Sequence, residues 1–291
     1  MKPQTFAEIS IVIVTILWGL TFPVIRIAVQ DLDGRYFVAI RFWIAFLAFI
    51  PIGLWVGISR DKLRETRGPG ILTGFLMSMV FLFQTIGLQT ISSPRAAFIT
   101  SSYVIFVPLI SPFFGRKMPS LGEFVASFVA LTGLFLIMNP DTTTGVSSGD
   151  LWVLGCAISS AVGIQTLARL LKKNLDIMAL IVWQLGTIAF FSTLTILVGP
   201  PATLLTFSQP AWISLLICAL GVTLGAFILQ VKCQKLLPPE RVALVYSLEP
   251  IFAVIFGYLI LGELLTLRSL LGGLLILSAV IGPKISKLVL R

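Results

Sequence analysis

Histidine is absent, and Asp, Glu, Lys and Arg together make up only 11% of the 291 residues. The first absence removes the commonest metal ligand and the commonest acid–base group near neutral pH. Without it there is no serine–histidine constellation, and no paired carboxylates or metal set stand out instead. A membrane-embedded enzyme is therefore the weakest functional class, and no metal or cofactor is expected. There is no Walker-type Gly-rich loop and no Lys-Ser/Thr pair, so ATP does not drive the process in this chain. Cysteine is scarce too. Cys156, Cys218 and Cys233 all lie in apolar segments and read as small core residues with no disulfide framework.

What is abundant is apolar sequence, at 57% of residues. Soluble domains average about 25% charged residues. A soluble fold with so few, clustered between long apolar runs, would expose large apolar patches. Lipid is the solvent that makes the pattern reasonable. A spanning helix needs roughly 20 apolar residues. Ten such segments, α1 to α10, read as Glu8–Val29, Tyr36–Ile58, Pro69–Thr90, Arg95–Phe114, Leu121–Met138, Asp150–Leu170, Ile177–Val198, Pro210–Cys233, Val242–Leu261 and Leu267–Ile285. The connectors Ser59–Gly68, Asn139–Gly149 and Gly199–Gln209 are the longest, and all are too short for a soluble domain. The first segment is too long for a typical signal-peptide core and lacks a small-residue cleavage site after it. The fold class expected is an all-α membrane protein.

The net charge of +9 has a topological explanation rather than a nucleic-acid one. Of the 21 Lys and Arg, 16 fall at the two ends or in every second connector: Lys2; Arg60, Lys62, Arg64, Arg67; Arg116, Lys117; Arg169, Lys172, Lys173; Lys232, Lys235, Arg241; Lys284, Lys287, Arg291. The alternate connectors carry only Arg35, Arg95 and Arg268. Ten helices place the basic set on one side, which the positive-inside rule makes cytoplasmic, with both termini. A bacterial inner membrane is the expected location.

Sliding the chain by 146 residues aligns Phe81 with Phe227, Gln84 with Gln230, Arg95 with Arg241, Ala97 with Ala243 and Ser101 with Ser247. It also aligns Ile105-Phe106 with Ile251-Phe252. The polar matches weigh most, because chance identities among aliphatic residues are common. Each half, 1–140 and 141–291, holds five helices. An odd number turns the second half upside down, and inverted repeats are a hallmark of secondary transporters.

These halves resemble a known family. Leu17-Trp18-Gly19, Gly87-Leu-Gln89 and Ala96-Ala97-Phe98-Ile99-Thr100 look like the first-half signature of EamA-domain transporters, of the drug/metabolite transporter superfamily. Arg241 to Glu263, RVALVYSLEPIFAVIFGYLILGE, looks like the second-half signature, and Gly272-Gly273-Leu-Leu-Ile-Leu follows where that family has a Gly-rich last helix. The resemblance implies ten helices in two EamA repeats about a central cavity lined mainly by α1, α3, α4, α6, α8 and α9. Members move amino acids, other metabolites, nucleotide-type molecules or drugs, and many are exporters.

Polar side chains at membrane depth are functional candidates. Glu249 lies roughly 12 Å into α9 at 1.5 Å per residue, where a bare carboxylate would cost several kcal/mol. It must be protonated, paired or wet. Two readings stand: it holds a substrate amine or cycles a coupling proton, or it is structural beside Pro250. Tyr246 and Glu249 share one face of α9, and their repeat partners Thr100 and Tyr103 share one face of α4. Under an inverted two-fold these patches converge near the midplane. Gln84 and Gln230 are equivalent in α3 and α8, and substrate contact and interhelical bonding both suit them. Gln184 reads as interhelical glue. Trp18 either walls a cavity or packs. Arg41, about six residues into α2, offers an anion or carboxylate contact, although arginines so near an end more often snorkel or pair with an acid. The same holds for Arg26. Small residues at Ala126/Ala130/Gly133 and Gly272/Gly273 mark close packing and leave a dimer face on α5 and α10 open, so monomer and homodimer both stand.

The expected function is secondary transport, with export favoured, of a small metabolite such as an amino acid or similar zwitterion, by alternating access through a central cavity in a lipid bilayer. A multidrug or cationic-compound exporter of the same fold competes with it, and a non-transporting scaffold is the third reading.

Overall fold

The computed structural model describes residues 3–116, 118–138, 145–199, 208–262, 264 and 266–289, and among these every regular element is helical. Ten spans are present. They are α1 (Pro3–Ala28), α2 (Gly34–Trp55), α3 (Arg60–Leu88), α4 (Ser93–Ser101 and Tyr103–Ile110), α5 (Leu121–Met138), α6 (Ser148–Leu170), α7 (Ile177–Val198), α8 (Gln209–Gln234), α9 (Pro239–Leu261) and α10 (Leu267–Val289). Eight have the length and apolarity to cross a bilayer, and α5 and α10 add shorter apolar stretches. The protein is a multi-pass membrane protein of two inverted five-helix repeats. Lys2, Lys117, Glu263 and Arg291, and most of the connectors between α5 and α6 and between α7 and α8, lie outside the described residues.

One connector differs from expectation. Ser59–Gly68 is mostly helix, because the Ser59 hydroxyl accepts the Lys62 backbone N–H and caps α3 at Arg60. The basic segment is thus a helical turn or two protruding past the apolar run.

The connectors sort to two ends. At the basic end Lys62 pairs with Asp176, Lys235 donates to Asn174, Arg116 approaches Glu240, and Arg241 pairs with Glu8. At the far end Arg95 pairs with Asp150 and Arg35 with Asp33. The alternation read from the loop charges is therefore a spatial fact.

Packing obeys the repeat. α6 lies on α3 and α4, and its equivalent α1 lies on α8 and α9; α2 packs on α7, and α5 on α10. Each repeat has exchanged its first helix. One bundle is α3, α4 and α6; the other is α8, α9 and α1. Repeat-equivalent arginines hold the exchange. Arg95 at the start of α4 makes a bidentate bond to Asp150 on α6, at 2.6 and 2.7 Å. Arg241 at the start of α9 reaches Glu8 on α1 at 3.0 Å and donates to the Val280 carbonyl at 2.6 Å. Asp150 is fixed further by Ser147, which forms a capping box with it. Fork-shaped guanidinium–carboxylate bonds carry both energy and orientation.

The small residues of α5 and α10 face each other within the chain. A Cβ added at Gly133 or Gly272 would strike the other helix's backbone. This part of the small-residue surface is consumed internally and is not a free dimer face.

Removing one member of a staple leaves a largely buried charge. Arg95→Ala should lower stability by about 2–3 kcal/mol, read as a fall in the thermal unfolding midpoint in detergent. The Arg95→Ala/Asp150→Ala double variant should recover most of that loss. Equal midpoints for wild type and Arg95→Ala would show that the pair carries no weight.

Candidate central cavity

Both fourth helices break at the same place. In α4 the break is at Ser102, and in α9 at Ser247–Leu248, one repeat length on. At each, a serine hydroxyl turns back to a carbonyl three residues earlier, Ser102 to Ile99 at 2.6 Å and Ser247 to Leu244 at 2.7 Å. Backbone bonds tighten to the same spacing, Leu248 N–H to Val245 and Ile105 N–H to Ser102. Pro250 contributes on the α9 side, since it has no N–H to donate. The residues that open the second segments are Tyr103 and Glu249.

These breaks border a cavity of about 80 Å³ between the two bundles. Trp18, Arg41, Gln84, Thr100, Tyr103, Gln230, Tyr246 and Glu249, all eight candidates of the sequence, line it. Three repeat-related pairs line it: Gln84/Gln230, Thr100/Tyr246 and Tyr103/Glu249. The cavity therefore sits on the pseudo-two-fold axis. It reaches from mid-span toward the basic end, where Leu167 and Gln234 close their helices.

The pairs are alike in place and unlike in chemistry. Gln84 donates to Thr100 at 3.4 Å, while Gln234 donates to the Tyr246 hydroxyl at 3.2 Å. Trp18 lies tilted on Tyr246, with ring centroids 4.9 Å apart. Trp18 reaches this position because the next residue is glycine: a Cβ at Gly19 would stand 2.5 Å from the Phe252 Cβ. The amide oxygens of Gln184, Gln230 and Gln234 are buried with no hydrogen-bond partner, and the buried Tyr103 hydroxyl lies beside Ser101 and Glu249 without a well-formed bond to either. Such groups are costly in an apolar interior unless something else satisfies them.

Arg41 departs from expectation. It neither snorkels nor pairs with an acid. It is 2% exposed, its Nε donates to Thr223 at 3.0 Å, and its guanidinium lies 5.3 and 5.1 Å from the Phe42 and Phe81 ring centroids. Thr223 is available because α8 widens into a π-helical stretch over Ile217–Thr223, and its hydroxyl donates to the Cys218 carbonyl at 2.7 Å. Such stretches recur at functional sites. Arg26 is anchored as well, on the Leu88 carbonyl at the end of α3.

Gln184 both glues and lines: it donates to Thr73 at 3.0 Å and borders the cavity. Thr73, Ser160 and Gln234 also line it and were not singled out in the sequence. Only a pattern of polar residues on the inward faces of α3, α6 and α8 would have marked them. The three cysteines are buried and free.

Residues 5–139 and 147–282 each match the EamA-like transporter family. The chain belongs to that family. It is 29% identical over 282 residues to an uncharacterized transporter of Archaeoglobus fulgidus, covering 96% of this chain and 85% of the relative. It is 26% identical over 277 residues to the uncharacterized transporter YoaV of Bacillus subtilis, covering 92% and 93%. A solved protein structure superposes with a TM-score of 0.76 at 16% identity, covering 94% of this chain and 96% of the other, and supports the fold. This EamA-like protein is thus a transporter by family, with a small-molecule substrate and a lipid surrounding.

The two tyrosines should part company on mutation. Tyr103→Phe removes a hydroxyl with no well-formed bond and should leave the unfolding midpoint unchanged or slightly raised. Tyr246→Phe strands the Gln234 amide and should cost about 1 kcal/mol. Thermal unfolding of both variants in detergent checks this, and equal losses would contradict the bonding described.

Proposed function

We propose that this EamA-like transporter exports a small zwitterion, an amino acid or a close analogue, by alternating access through the central cavity. One observation carries the reading. The cavity is lined by a guanidinium, Arg41, and a carboxyl group, Glu249, and neither is in an ion pair among the described residues. A substrate with a carboxylate and an ammonium supplies both missing partners. Arg41 is aligned by Thr223 and two phenylalanines and presents the fork that suits a carboxylate. Glu249, the unpartnered amide oxygens and the Tyr103 hydroxyl accept from an ammonium. Trp18 and Tyr246 make a wall that takes an apolar or aromatic side chain.

The basic end is cytoplasmic in this reading, in a bacterial inner membrane. Export is assigned on the resemblance to a family with many exporters. A proton is the coupling ion. Tyr103 and Tyr246 stand beside Glu249, and Arg41 lines the same cavity. Tyrosine and arginine ordinarily titrate far above neutrality, so the carboxyl is the cavity group suited to exchange a proton. The cavity is complete within one chain, so a monomer suffices. A second reading, export of a hydrophobic cation, rests on Glu249 with the same aromatic wall.

Proteoliposomes loaded with labelled amino acids, or with a cationic dye, separate the two. The zwitterion reading expects amino-acid flux that Arg41→Gln abolishes. Dye flux that survives Arg41→Gln would favour the second reading, and no flux of either, with or without a proton gradient, would sink both. Glu249→Gln should make the remaining flux insensitive to pH while the folded fraction stays near wild type. Wild-type pH dependence in that variant would assign Glu249 to structure.

A further inference from the structure

At the basic end one carboxylate ties the two bundles through buried side chains, beside helix packing and the exposed Lys235–Asn174 hydrogen bond. Glu240 opens α9, in the bundle of α1, α8 and α9. Its Oε1 accepts from the Ser111 hydroxyl at 2.5 Å and from Gln165 Nε2 at 3.4 Å. Ser111 follows α4 and Gln165 lies on α6, both in the opposite bundle, and both are fully buried. Arg116, just beyond α4, adds a 3.7 Å ion pair to Oε2. From this geometry we infer that Glu240 is the latch that closes the cavity toward the basic end, and that its release from Ser111 and Gln165 opens that end. The inference rests on the alternating-access reading above and adds to it the residue that gates one side.

Three features distinguish a latch from a permanent tie. The first is that the partners remain satisfied when Glu240 leaves. Gln165 Nε2 already donates to the Val107 carbonyl at 2.9 Å and to Ser111 Oγ at 2.6 Å, and the Ser111 hydroxyl has the Val107 carbonyl at 3.2 Å as an alternative acceptor. The Gln165 and Ser111 donors thus keep an acceptor in both states. Glu240 itself is 15% exposed and can move into water with its charge intact.

The second feature is the neighbour. Arg241 turns the other way and ties α9 to Glu8 on α1 within its own bundle. Adjacent residues therefore separate the two tasks, one holding the bundle together and the other holding it against its counterpart. The third is the lever. Glu240 and Tyr246 lie near opposite ends of one short helix, Pro239–Tyr246, which finishes at the break beside Glu249. Displacing the latch end displaces the cavity wall.

The far end closes with different chemistry. Arg26 on α1 donates to the Leu88 carbonyl on α3, and Ser93 on α4 donates to the Phe22 carbonyl on α1 at 3.4 Å. The repeat partner of Glu240 is Pro94, which has no charge. The latch is thus an addition to one repeat, imposed on a symmetric frame.

Thiol accessibility tests this without any substrate. Ser160→Cys, on the cavity wall, is placed in a background with Cys156, Cys218 and Cys233 changed to alanine. A charged, membrane-impermeant methanethiosulfonate is applied to vesicles of each orientation. A hydrogen bond to a charged group shifts an opening equilibrium by roughly tenfold. Glu240→Gln, which weakens the bonds, and Glu240→Ala, which removes them, should raise the modification rate from the basic side, the second by roughly tenfold. The rate from the far side should fall. Arg26→Gln should do the reverse. Ser111→Ala provides a second route should Glu240 variants fail to elute as a folded, monodisperse species. Rates from the basic side unchanged to within about twofold in folded variants would overturn the latch. If the parent Ser160→Cys protein reacts from both sides in that case, alternating access survives and only the latch fails. If it reacts from one side alone in every variant, both fail.

Discussion

An arginine at the start of the fourth helix of each repeat, gripping the first helix of the other repeat, is the contact on which this architecture depends. In lipid there is no hydrophobic drive to sort one apolar helix from another, so specific polar contacts and close packing decide which helices associate. Arg95–Asp150 and Arg241–Glu8 make that decision twice, at opposite ends of the membrane. They place α6 with α3 and α4, and α1 with α8 and α9. Exchange of the first helices sets six of the ten spans into two three-helix bundles that each contain pieces of both repeats, with α2 paired to α7 and α5 to α10. The cavity is the gap between those bundles.

Symmetry supplies the frame, and departures from it supply the chemistry. The same break recurs in α4 and α9, but it opens on Tyr103 in one and on Glu249 in the other. Thr100 and Tyr246 are equivalent in place and differ in size. Among the described residues Arg41 is the single lysine or arginine in the cavity lining, so the cavity has a cationic pole on one side only. At the basic end Glu240 stands where the far end has Pro94. Under the proposed zwitterion transport, these substitutions give the cavity unlike ends for the two unlike ends of the substrate.

The spans, their parity and the repeat were legible in the sequence because each has a long-range signature: apolar length, alternating loop charge and a constant offset of polar residues. The eight candidate cavity residues were legible because polar side chains at membrane depth are few. Local departures from ideal helix were not. The Ser59 cap extends α3 into a segment whose charges read as loop. The π-helical stretch of α8 has no composition that marks it, yet it brings Thr223 to Arg41. For Arg41 the sequence left an anion contact, snorkelling and an ion pair all open, because distance from a helix end says nothing of which face a residue occupies. Thr73 and Ser160 are small hydroxyl residues of a kind that usually bonds its own helix backbone, and Thr73 does so, with the Pro69 carbonyl. Gln165 carries no mark in the sequence, and only the fold sets it beside Ser111 and Glu240.

The central claim is that two bundles stapled by arginine move as bodies about the cavity. Electron–electron distance measurements between paired spin labels test it most directly. Arg169 with Lys232 reports across the gap at the basic end, Gln30 with Thr90 across the gap at the far end, and Arg64 with Arg169 within one bundle. The account predicts two distances for each pair across the gap, with complementary populations at the two ends, and a single distance within the bundle. A within-bundle distance that splits as widely as the others, or gaps that open at both ends together, would contradict it.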